Sequence, residues 1–204
     1  MWEKFSQIWR TKDVRNRLLF VLAMLVIFRL VAHIPIPGVN LVNLRSYLAG
    51  NQILGLFNIF SGGTLQNFSI VMLGVGPYIT SSIIIQLLTM IVPSMEEMSK
   101  EGESGQQKIN MYTRWLTIPL ALLQSYGMIR LLNQAGQQVL TNLTPISMVA
   151  IMLTVTAGTM FLMWLGELIS EKKVGNGVSL LIFAGIVSSL PSFINQAYLN
   201  YDPS

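Results

Sequence analysis

The chain has 204 residues, of which 52% are hydrophobic and only 11% charged, with a formal net charge of +4 and no cysteine. So few charges exclude an ordinary soluble domain, where about a quarter of residues are charged, and the mean hydropathy of +0.56 points the same way. Without cysteine there is no disulfide, thiol chemistry or cysteine metal site, and the single histidine, His33, excludes an all-histidine metal site within one chain. The basic residues are scattered through short loops and form no patch, so the positive balance does not indicate nucleic-acid specificity. Apolar runs of 17 to 24 residues imply an all-α polytopic membrane protein, since a β-barrel would show roughly ten-residue alternating segments.

Residues 1 to 17 read as a basic cytoplasmic leader, with Trp2, Phe5, Ile8 and Trp9 spaced for an amphipathic surface helix. The run from Leu18 to Ile34 is long for a signal peptide core and ends in Pro35, Pro37 and Gly38 with no small-residue cleavage pattern, so it reads as a retained first span. A polar connection, 38 to 55, follows. The stretch from Leu56 to Val92 could cross a bilayer but is interrupted at Gly62-Gly63 and again at Gly74, Gly76 and Pro77. Backbone groups released from a helix at membrane depth must find partners in protein or in a water-filled cavity, so the breaks predict a cavity or pore alongside. The polar stretch from Pro93 to Thr113 reads as a solvated loop. A third helix is expected over about Arg114 to Leu132, a fourth over Ile146 to Ile169, and a fifth over Val178 to Ile194 after a charged turn.

Ten basic residues fall on one side of this arrangement, in the leader, the 93 to 114 loop and the 170 to 177 turn; the other side has Arg45 and Arg130, and Arg29 lies within the first helix. The positive-inside bias then puts the N-terminus in the cytoplasm and, after five crossings, Ser204 outside. The organisation expected is a leader over 1 to 17, a five-helix membrane unit over 18 to 194 and an external tail over 195 to 204. A homologous unit of five that followed would run inverted, as in many transport proteins whose pathway lies between repeats.

After the second break, Val75, Ile79 and Ile83 recur every fourth residue as one apolar stripe, with Thr80, Ile83, Ile84 and Leu87 on an adjacent face. Such a stripe suits packing against neighbouring helices or lipid; beside a helix that begins inside the membrane, it also suits a hydrophobic constriction that excludes water and ions. The preceding part, Leu56 to Phe68, reads either as a half-inserted helix with Ser61-Gly62-Gly63-Thr64 as its joint or as a surface loop. Arg29 is an intramembrane charge, a functional candidate that could equally snorkel outward or tie helices together, and His33 suits a local hydrogen bond. Glu167 closes the fourth helix without the mid-depth partners a proton relay needs. Gln86, Gln124 and Ser125 suit hydrogen bonds between helices or a gate lining, and Ala150, Thr154 and Gly158 suit close helix packing, as do Gly185 and Ser189. No catalytic set, cofactor site or metal site emerges.

Several stretches, in order, closely resemble the SecY family of protein-conducting channel subunits: FRLVAHIPIPG (28 to 38), FNIFSGGTLQNFSI (57 to 70), GVGPYITSSIIIQLL (74 to 88), KEGESGQQK (100 to 108) and GTMFLMWLGELISEKKVGNGVSLLIFAGIVSSLP (158 to 191). The resemblance implies a ten-helix channel in two pseudo-symmetric halves around an hourglass pore, with this chain corresponding to the first half, in the bacterial cytoplasmic membrane. It implies a plug over 57 to 70, with Phe57, Asn58, Ile59, Phe60, Ser61, Gly62, Gly63, Thr64, Leu65 and Phe68; a pore ring from Val75, Ile79 and Ile182; and a lateral gate wall from Thr80, Ile83, Ile84, Gln86 and Leu87. Only the resemblance assigns Ile182. The partners it implies are the second half of SecY, SecE and SecG, the SecA motor or ribosome mainly through that second half, substrates with signal sequences, and the lipid bilayer. Where the family commonly carries two arginines after EGESG, this chain has Gln106 and Gln107, which weighs against a phosphate- or ribosome-facing role for that loop.

Overall fold

The computed structural model describes residues 12–134, 139 and 144–199; of positions 52, 59, 60, 189 and 192–199 only the backbone is described. Most of the expected leader, including Trp2, Phe5, Ile8 and Trp9, lies outside the described residues, as does the end of the tail with Ser204. The described residues form eight helices and no strand beyond one isolated bridge.

Helix α1, Lys12–Val31, carries Asp13 in its first turn and Arg29 in its last, the charge order that the helix dipole favours. Val21 and Phe28 are buried two turns apart, and Val14, Leu18, Leu22, Val26 and Leu30 form an exposed stripe at every fourth position. The helix stops short of the expected Ile34 because Pro35 and Pro37 force extended backbone, which pairs Ile36 N–H with the Phe68 carbonyl at 2.9 Å and Ile70 N–H with the Ile34 carbonyl at 3.1 Å. The stretch read as a polar connection folds into α2, Leu41–Gly50, and α3, Gln52–Phe60. Two asparagines explain this: Asn40 accepts from the amides of Val42 and Asn43, and Asn51 from those of Ile53 and Leu54, as helix N-caps do. The half-helix expected over 56 to 68 therefore ends at Phe60, where Gly62 and Gly63 take φ of +70° and +79°.

Helix α4, Gly76–Ile91, starts with Pro77 in its first turn. At Val92-Pro93 the chain bends by 102° into α5, Pro93–Lys100. The expected loop over 93 to 113 is thus mostly helical: Pro93 stops α4 and opens α5, and Glu96 and Lys100 pair one turn apart at 2.6 Å. That hydrogen bond holds the exposed Glu96 carboxyl below the usual carboxylate range. Helix α6 runs from Glu103 to Gln134 through Pro119, α7 from Pro145 to Glu171 behind a Thr144–Ser147 capping box, and α8 from Gly177 to Leu199. Of these helices α6 and α7 are long and apolar enough to cross a membrane, with a third span if the bent pair α4 and α5 is counted as one.

Helix α6 packs between α4 and α7, and α8 lies along α7, with α1 against both. Two apolar clusters result. One joins Leu44, Leu48 and Leu54 to Ile129, Leu132, Ile151 and Val155; the other joins Val21 and Phe28 to Leu162, Leu165, Ile169 and Leu181. Residues 61–75 supply both, Leu65, Phe68 and Met72 to the first and Val71 and Val75 to the second.

Where this segment crosses α7, a Cβ at Gly158 would collide with the Ile70 carbonyl, which is backbone and cannot swing aside. Gly158→Ala should therefore destabilise the fold by about 1–3 kcal/mol, although alanine ordinarily stabilises a helix interior by up to about 1 kcal/mol. Gly127→Ala in α6, where nothing lies within 4 Å of the added methyl, should leave thermal unfolding in detergent unchanged or raise it. Equal midpoints for the two variants would contradict the packing described.

Candidate functional site

The site is built by the segment that precedes α4. Its backbone departs from regular structure over fifteen positions, 61–75, yet it lies in apolar surroundings where an unpaired N–H or C=O is costly. Some partners come from the stretch after α1, as for the Phe68 carbonyl and the Ile70 amide, and others are local. Gly63 N–H donates to the Asn58 carbonyl at 2.8 Å, Ser69 N–H to the Thr64 carbonyl at 3.0 Å, and Gly74 N–H to the Val71 carbonyl at 2.8 Å. Thr64 Oγ1, fully buried, donates to the Ser61 carbonyl at 3.0 Å, and the Met72 carbonyl lies 3.4 Å from the same hydroxyl. Asn58 and Gln66 clasp each other, Asn58 Oδ1 accepting from the Gln66 amide at 2.9 Å.

Arg29 joins this network. Its Nη1 donates to the Gly62 carbonyl at 2.8 Å, and His33 Nδ1 donates to the Arg29 carbonyl at 2.8 Å. Arg29, for which the sequence leaves open a functional charge, snorkelling or a tie between helices, here ties α1 to the irregular segment, and His33 makes the local bond expected of it. Gly62 also lies against Gly185 of α8: an added Cβ would sit 2.7 Å from the Gly185 Cα. Among the expected plug residues, Gly62, Gly63, Thr64, Leu65 and Phe68 are buried, Asn58 and Ser61 are half-buried, and Phe57 is exposed. The side chains of Ile59 and Phe60 lie outside the description.

At the end of the segment Val75 sits at φ −93°, ψ 8°, and its carbonyl accepts the first α4 bond, from Ile79 N–H. Val75 is buried in the second cluster, against which Ile182 packs. One turn on, Ile79 and Ile182 face a common open cleft of about 380 Å³, whose floor Ile83 extends. Of the three expected ring residues, Ile79 and Ile182 line this cleft, whereas Val75 does not line it and is buried in the cluster against which Ile182 packs. Thr80, Ile83, Gln86 and Leu87 share an exposed face of α4, and Ile84 is turned half inward. Gln86 is also on the cleft wall, hydrogen-bonded to Ser82 at 3.3 Å.

The frame around the cleft is rigidly joined. Ser81, fully buried, donates to the Thr113 carbonyl at 2.6 Å and ties α4 to α6. The α7–α8 turn is fixed by Ser170 Oγ, which accepts from Gly177 N–H at 2.8 Å, and by Asn176, which caps α8 through Ser179 N–H. Arg114 Nε donates to Glu167 Oε1 at 2.7 Å and joins α6 to α7 at the cleft rim. Sequence reasoning placed Glu167 at a helix end but missed this partner; fifty-three residues separate them, and only the antiparallel packing of α6 and α7 brings them together.

The arrangement is that of a helical membrane protein in which a hydrogen-bonded irregular segment delivers a helix to an open cleft. A SecY family model matches residues 69–202. The chain is 46% identical over 200 residues to the protein translocase subunit SecY of Staphylococcus carnosus, covering 97% of this chain and 46% of that protein. It is 47% identical over 195 residues to the protein translocase subunit SecY of Pseudomonas aeruginosa (95% and 42%) and 42% identical over 200 residues to that of Streptomyces coelicolor (92% and 46%). The chain belongs to the SecY family, and it spans about half the length of the curated relatives it matches.

Replacing Arg29 with Met keeps most of the aliphatic stem and removes the donor to Gly62. The loss of a hydrogen bond made by a charged group should cost about 1.5–3 kcal/mol. Limited proteolysis between positions 57 and 63 should become faster than in the unaltered protein, and equal cleavage rates would show that the contact restrains nothing.

Proposed function

We propose that the chain forms one half of a protein-conducting channel that passes unfolded polypeptides across, or sideways into, the bacterial cytoplasmic membrane. The observation that carries this reading is the meeting of Ile79 and Ile182 at one cleft, with Val75 in the buried cluster against which Ile182 packs, in a chain of the SecY family. A ring of bulky aliphatic side chains passes an extended peptide by yielding sideways, and it stays impermeable to ions because a narrow apolar opening is poorly wetted. Val75, Ile79 and Ile182 supply this chain's share of the ring. Residues 57 to 70 act as the plug, held by the Arg29 contact in the closed state, and the exposed α4 face with Thr80, Ile83, Gln86 and Leu87, together with Ile84, acts as one wall of a lateral gate.

On this reading the membrane unit crosses five times, with its leader in the cytoplasm and Ser204 outside. A second SecY half completes the pore; SecE and SecG stabilise it, and the SecA motor or the ribosome supplies the energy, mainly through that second half. The chain alone does not translocate, so secretion by reconstituted residues 1 to 204 without the complementary half would contradict the reading.

A photoreactive amino acid at position 79 of the complete channel should give an adduct with a polypeptide arrested in transit. The absence of an adduct would favour a non-conducting membrane subunit over a channel. Ile79→Gly should raise the resting ion conductance of the complete channel in a planar bilayer, and unchanged leak would remove Ile79 from the seal.

A further inference from the structure

The cleft that Ile79 and Ile182 open onto has one ionised group in its lining, Glu167. Ile79, Ile83, Val178 and Ile182 supply its aliphatic side chains, and the rest of the lining is neutral. Arg114 engages only Oε1 of Glu167, and through a single nitrogen. Oε2 accepts no hydrogen bond among the described residues, and the carboxylate side chain is 25% exposed.

The surroundings make this carboxylate unusual. It stands at the end of α7 that carries Lys172 and Lys173. At that end Arg17 reaches from α1 to donate to the Lys172 carbonyl at 3.4 Å, and the Lys172 ammonium lies 4.7 Å from the centre of the Phe20 ring. This is the basic end, the cytoplasmic side by the positive-inside bias. A cationic ligand approaching it meets repulsion from Arg17, Lys172 and Lys173, offset outside the cleft by the exposed Glu171; among the described residues lining the cleft, Glu167 is the one carboxylate.

We propose that Glu167 receives the positively charged leading segment of a secretory signal sequence while the apolar core of that sequence lies along Ile79, Ile83 and Ile182. Such sequences pair a basic segment with an apolar stretch of roughly 7–15 residues, and the cleft presents the complementary pattern, a carboxylate at the rim and an aliphatic floor. Arg114 holds the carboxylate in place when the cleft is empty and competes with the incoming cation. This inference rests on the channel reading above.

The test uses the complete channel and two substrates that differ only in the leading segment of the signal, one with basic residues and one with glutamines in their place. The readout is the ratio of their insertion rates, with the position 79 adduct scored in parallel. Glu167→Gln should lower the basic-to-neutral ratio about two- to fivefold, the range of one partly exposed charge pair. The exchange variant Arg114→Glu with Glu167→Arg keeps the ion pair, and with it the joint between α6 and α7, but puts a cation at the cleft. It should invert the preference, favouring a signal with an acidic leading segment.

An unchanged ratio in Glu167→Gln would overturn the proposal, as would an exchange variant that keeps the original preference, because a purely structural ion pair would be restored by the exchange. Insertion that responds to the amine content of the lipid and not to signal charge would also overturn it, assigning the cleft to a lipid headgroup. Failure of both substrates to reach position 79 in the unaltered channel would overturn the channel reading itself, a result distinct from loss of charge dependence alone.

Discussion

Hydrogen bonding within residues 61–75 is the constraint on which the rest of the structure depends. An apolar setting penalises every unpaired backbone group, so a chain that leaves the helix there must find another partner for each one. This one does so with turns at Gly62, Gly63 and Gly74, a threonine hydroxyl shared between two carbonyls, and an arginine brought from α1. Because the segment is buried on both sides, between the Leu44 cluster and the Val21 cluster, its end point is fixed. That end point is Val75, and the position of Val75 sets where α4 begins and which way Ile79 points.

Packing at the glycines follows from the same constraint. An irregular segment has no side-chain ridges to fit into helix grooves, so it approaches backbone to backbone, and the facing helix has to be bare where contact is made. Gly158 of α7 under Ile70, and Gly185 of α8 under Gly62, are those bare positions. Their four-residue spacing with other small residues reads in the sequence as helix packing, but at the two contacts that matter the partner is the broken segment.

Much of this was legible in the sequence for physical reasons. Long apolar runs with few charges give helices and a membrane, and Gly74 to Pro77 marks the start of a helix because proline needs no amide partner there. Ile79 and Ile182, which lie on different helices, line one cleft, a pairing that periodicity within one helix has no means of giving. What the sequence hid is mostly long-range or dependent on caps. Arg29 on Gly62 and Arg114 on Glu167 join residues 33 and 53 apart, and no local pattern encodes such pairs. The composition of the polar stretches 38 to 55 and 93 to 113 suits loops, yet Asn40, Asn51 and Pro93 start helices there. The Glu96–Lys100 spacing was the signal available for α5.

The account is tested most directly by amide hydrogen exchange across positions 61–75 in the complete, closed channel. Buried and bonded as described, the amides of Gly63, Ser69, Met72 and Gly74 should exchange at rates comparable to those in the middle of α7, despite their irregular conformation. Exchange as fast as in an exposed surface turn would contradict the claim that this segment is the fixed frame from which α4 and its cleft are hung.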